Sequence, residues 1–152
     1  MSDVAIARAL HVLAVVVWLG GVAMVTTVVL PAARAARDPA LFERVERLFA
    51  AQTRWTLVVA GLSGFYMIER LGLWPRFAFA RFWWMHAMLA LWLVYAAALF
   101  VLEPFFLRAR VAARLRSDPE GALREVNRTH WVLLALSLAT LAGAVAGSHG
   151  LL

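Results

Sequence analysis

From about Val4 to Leu30 the chain is apolar apart from Arg8 and His11. A helix needs ~20 such residues to cross the hydrocarbon of a bilayer, so this run is long enough to span, and a chain of this size has no soluble core to hide it. Three further apolar runs follow, at about Trp55–Leu73, Phe79–Phe106 and Thr129–Leu151. The fold class expected is all-α: an integral membrane four-helix bundle, with residues 1–152 as a single transmembrane domain. Hydrophobic residues make up 64% of the chain, against roughly 45–50% in soluble domains. The first run lacks the basic start and small-residue cleavage site of a signal peptide, so it is expected to remain in the mature protein.

Between the spans, Asp38 and Pro39 look like a helix start. Leu41, Phe42, Val45, Leu48 and Phe49 then recur at helical spacing opposite Glu43, Arg44, Glu46 and Arg47. That pattern predicts a short interfacial amphipathic helix between spans one and two. Pro31 is expected to end span one and the Glu103–Pro104 pair to close span three. The charged stretch from Leu107 to Arg128 is expected to lie in water, with Glu103 and Arg108 as interfacial charges. Gly61 with Gly64, and Gly143 with Gly147, are expected to let helices approach closely, and Trp74, Trp83 and Trp84 to form an aromatic belt.

The net charge of +6 comes from 15 basic residues, all arginine. In four spans, eleven of them fall on the side of the two long loops and four on the side of the termini. The positive-inside bias then makes them topology signals rather than a nucleic-acid footprint, with both termini periplasmic in a bacterial inner membrane. No cysteine is present, which excludes thiolate metal sites, Fe–S clusters and disulfides.

The histidines carry the chemistry. Counted along ideal helices, His11 and His86 each lie roughly 10 Å in from the outer ends of spans one and three. An ionisable group in hydrocarbon is a candidate functional residue because it must be neutral, paired or ligated. Two imidazoles at matched depth on different helices can clamp a porphyrin iron from both faces. The expected site is therefore heme b, with His11 and His86 as axial ligands and Trp18 and Gly21 lining the pocket. The alternative is copper held by His11 and His86, with His149, Met85 or Met88, since imidazole and thioether suit that metal. His130 is expected at the opposite, interfacial mouth. A b-type heme would favour electron transfer between a quinone and a periplasmic partner. A membrane oxidoreductase activity and a homo-oligomeric state stay open.

LHVLAVVVWLGG in span one and WWMHAMLALWLVY in span three resemble the CopD (copper resistance protein D) family and, more distantly, HemJ-type protoporphyrinogen oxidases. The resemblance covers the four-span layout of the whole chain. It implies a heme-binding or copper-related membrane protein, with His11 matching the family's first-span histidine. HemJ-like proteins carry a lysine where Met88 stands here, which leaves His86 to supply the second ligand; a HemJ-like oxidase is the third reading.

Overall fold

The computed structural model describes residues 2–150, except for the side chain of Pro39; the last residue of the fourth expected span, Leu151, lies outside them. Those residues form four helices, α1 (Ser2–Ala36), α2 (Pro39–Arg70), α3 (Ala80–Ser117) and α4 (Pro119–Ser148). No strand occurs among the described residues. α1, α3 and α4 are long and apolar enough to cross a membrane, and only 33%, 11% and 17% of their apolar windows are buried inside the protein. Large apolar side chains therefore face outward, among them Leu13, Val16, Leu93, Leu136 and Leu138. α2 has an apolar middle, but Arg54 bounds it on one side and Glu69 and Arg70 on the other.

Short connections make neighbouring helices antiparallel. α1 and α2 pack along their length and meet through Arg37, in the left-handed region at φ 51°, and Asp38. The Asp38 carboxylate accepts from the Ala40 and Leu41 amides at 3.0 and 3.2 Å, capping α2. α3 packs mainly on α4, and Asp118 caps α4 by accepting from Gly121 N–H at 2.9 Å.

Four features differ from the sequence reading. Pro31 does not end the first helix, which continues to Ala36 through a π-helical stretch, Val25–Val29, where Leu30 N–H bonds to Val25 O. The wider turn makes room for the proline ring, and the hydroxyls of Thr26 and Thr27 donate to the Val22 and Ala23 carbonyls at 2.6 and 2.8 Å. α3 likewise passes Pro104 inside a longer π segment, Ala97–Leu107. The amphipathic segment expected as a separate interfacial helix is instead the first half of α2. Nothing breaks the chain between Asp38 and Gly72, which has φ +61°. The charged 107–128 stretch is not a loop either, but the prolonged ends of α3 and α4 meeting at Asp118.

Two apolar clusters hold the helices. Near the arginine-rich end, Leu30 and Ala33 of α1, Phe42 of α2, Leu115 of α3 and Leu123 of α4 bury together. Further along, Trp18, Leu19, Val22, Leu57, Tyr95 and Leu134 do the same. The glycines receive rings rather than backbone: Trp92 covers Gly61, His11 covers Gly64, Trp83 covers Gly143 and Trp84 covers Gly147. Trp84 is accordingly a buried packing residue rather than part of an interfacial belt.

Candidate functional site around His11

His11 lies nine residues into α1, about 13 Å of helix, and its ring packs over Gly64 of α2. A Cβ on Gly64 would stand 3.2 Å from His11 Cε1, so the missing side chain is what lets the imidazole seat. Nδ1 donates to the Ala60 carbonyl at 2.9 Å, with Ser63 Oγ at 3.3 Å. A neutral imidazole that donates from Nδ1 keeps its lone pair on Nε2. The Nε2 of His11 has no hydrogen-bond partner among the described residues. This is the orientation in which a backbone carbonyl prepares a histidine to ligate.

His86 is placed differently. The α-helical part of α3 begins only at Trp83, so His86 lies three residues into it, about 5 Å along the helix. Its side chain is exposed; Nε2 faces the Phe77 carbonyl at 3.0 Å and Nδ1 the Phe82 carbonyl at 3.2 Å. The Phe77 ring stands edge-on to it at 5.3 Å. Both nitrogens of His86 are thus turned to the 74–82 connection, while His11 is turned to α2.

Trp18 is buried against Tyr95, with ring centroids 4.8 Å apart, and its Nε1–H has no acceptor among the described residues. The face of Gly21 is taken by the Phe49 ring, which leaves no space there for a macrocycle. Met85 is buried and Met88 borders the surface. His149 is exposed and donates from Nδ1 to the Val145 carbonyl at 2.9 Å. His130, at the other end of its span, does the same to Val126 at 2.9 Å. No group of three or more His, Cys, Asp or Glu side chains comes together in a metal-binding arrangement among the described residues.

A second polar cluster was not anticipated. Glu103 of α3 is buried and pairs with Arg54 of α2, while Arg108 approaches its other oxygen at 3.7 Å. Arg54 Nε also donates to the Leu99 carbonyl at 3.3 Å. Leu99 lies five residues before Pro104, so in π register its carbonyl is the one a residue-104 amide would have served. Arg54 supplies the donor that the proline lacks. Burial, followed by the nearby Glu103 charge, pushes the Glu46 carboxyl above the ordinary carboxylate range, against the opposing pull of Arg108, Arg54 and Arg47. The signal for this cluster was an acidic residue between apolar neighbours in FVLEPFF, a setting that demands a partner.

Fold and site together define a class: an all-helical protein with three helices able to cross a membrane and an imidazole, His11, bonded from the first of them to the carbonyl of a neighbouring helix. No protein-family model, no curated protein and no solved structure matches the chain.

Proposed function

We propose that this chain is an integral membrane four-helix protein that binds heme b through His11, at the end of the bundle opposite the arginine-rich turns. The observation that carries the reading is the His11 ring, locked by the Ala60 carbonyl with Nε2 unused, in a run from Val4 to Leu30 whose only charged residue is Arg8. The unpaired Trp18 N–H, seven residues further along α1, supports a polar ligand nearby, since an unmet buried donor costs about 1–3 kcal/mol. Bound heme would supply a one-electron redox couple for electron transfer. The protein's part is to fix the His11 tautomer and to exclude water with the apolar faces of α1 and α2. His86 becomes the second ligand only on giving up the Phe77 carbonyl, and the Gly21 face takes no part. The charge asymmetry supports an inner-membrane orientation with the arginine-rich end in the cytoplasm and His11 toward the periplasm.

An absorption spectrum of the purified protein tests this. A Soret band that shifts on dithionite reduction is expected, lost in His11→Ala. Its loss in His86→Ala as well would make the iron bis-histidine, whereas retention would make His11 the sole histidine ligand of the two. A colourless protein carrying stoichiometric copper would refute the heme reading in favour of a metal-ion site.

A further inference from the structure

The turn between α1 and α2 and the start of α4 enclose an open cleft of about 620 Å³ at the arginine-rich end. Pro31, Ala35 and Leu123 give it an apolar lining beside the guanidinium groups of Arg34, Arg37 and Arg124. One carboxylate lines it, Glu120, which approaches Arg124 at 3.6 Å. Arg34 and Arg37 have no ion-pair partner among the described residues.

The arrangement is built by the backbone rather than by loose side chains. Arg37 N–H donates to Arg34 O at 3.2 Å and Asp38 N–H to Ala33 O at 3.0 Å, which closes the turn and brings both arginines to one edge. Leu30, Ala33 and Leu123 are buried together behind it, so α4 cannot draw away from that edge. The first turn of α4 contributes little of its own, because Asp118 already accepts from Gly121 N–H. The anion chemistry of the cleft is that of guanidinium groups.

Three cations against one carboxylate leave the cleft with surplus positive charge, and crowding of like charges is relieved by a bound anion. Guanidinium forks match the oxygens of a phosphate in paired hydrogen bonds. A cavity of several hundred Å³ has the size of ordinary small-ligand sites, and its apolar lining suits a group carrying carbon beside the phosphate. From this we infer that the cleft between α1 and α4 binds a phosphate anion through Arg34, Arg37 and Arg124, carried by an anionic lipid headgroup or free in solution. The inference is independent of the heme reading.

The test is a titration of the purified full-length chain in non-ionic detergent, read by native mass spectrometry, with phosphatidylglycerol and phosphatidylcholine in parallel. Saturable retention of one phosphatidylglycerol is expected. At about 1 kcal/mol per arginine near a lipid phosphate, the double variant Arg34→Gln/Arg37→Gln weakens binding about thirtyfold. The control double variant Arg110→Gln/Arg116→Gln removes the same charge from the exposed end of α3 and changes binding by no more than about twofold. Both pairs are exposed, and far-UV circular dichroism verifies that each variant folds. Displacement of the lipid by millimolar inorganic phosphate assigns the cleft to free phosphate; failure to displace it assigns the cleft to the lipid. Equal losses in the two double variants, or equal retention of phosphatidylcholine, would overturn the inference.

Discussion

Arg54 serves two acceptors on α3 at once, the Glu103 carboxylate and the Leu99 carbonyl, so the two ends of that contact must respond unequally to mutation. Arg54→Gln removes both interactions and leaves a buried carboxylate and an orphaned carbonyl. Breaking a buried ion pair by removing one partner costs about 3–5 kcal/mol. Arg108, 3.7 Å from the other Glu103 oxygen, and the one-third exposure of the Arg54 side chain bring that nearer to about 2–3 kcal/mol. The lost Leu99 bond adds about 1 kcal/mol. Glu103→Gln keeps an oxygen that can still accept from Arg54 and leaves the Leu99 bond in place, for a loss of about 1–2 kcal/mol. Pro104→Ala restores an amide in α3, so in that background Arg54→Gln loses its extra 1 kcal/mol or so. Equilibrium unfolding in mixed micelles with increasing dodecyl sulfate, followed by tryptophan fluorescence and circular dichroism, gives the four free energies. A Glu103→Gln loss equal to or larger than that of Arg54→Gln would refute the role given to the Leu99 carbonyl. An Arg54→Gln cost unchanged by Pro104→Ala would refute the link to the missing proline amide.

Three other outcomes follow from the packing and the charges. A Cβ at Gly147 would fall inside the buried Trp84 ring, so Gly147→Ala should cost about 1–3 kcal/mol, whereas Gly20→Ala, with nothing within 4 Å, should cost nothing; the same unfolding titration compares them. Asp118→Ala removes the acceptor for Gly121 N–H at the start of α4 and should lower stability by about 1 kcal/mol, read as a fall in melting temperature. The Glu46 carboxyl titrates above its unfolded value of about 4.3, so the folded state holds the extra proton and stability falls as pH rises from that value through the folded one. Glu46→Gln should flatten that fall, and a variant with the wild-type slope across the same window would show that Glu46 is not its source.

The four helices were legible because each hydrophobic run falls on one of them, and Asp38–Pro39 and Asp118–Pro119 mark helix starts with residues that cap and pre-set the first turn. Helix ends were less legible at the two interior prolines. A proline costs one donor and a clash with the carbonyl before it, and both are avoided when the preceding turn widens to π pitch. At Pro31 the widened turn and the Thr26 and Thr27 hydroxyls that bond back to Val22 and Ala23 all lie in one stretch of α1, around TTVVLP. At Pro104 it comes from Arg54 on another helix, which no local pattern in α3 could reveal.

The histidines show the same division between what runs along a helix and what lies around it. Counting residues estimates depth, but a ligand pair also requires two side chains to point at one another, and that depends on which helices are neighbours and how each is rotated. His11 is directed by Gly64, the position on α2 where a ring can sit without meeting a side chain, with the Ala60 carbonyl one turn away as its acceptor. His86 lies close to the start of the α-helical part of α3, because residues 80–82 form a 3-10 turn and that part starts at Trp83. The preceding connection then folds back far enough for the Phe77 carbonyl to reach Nε2. A site completed by His86 therefore requires that its ring give up the Phe77 carbonyl, while one built on His11 alone does not. The spectrum of His86→Ala separates these cases: an unchanged Soret band is the result expected if that connection stays closed.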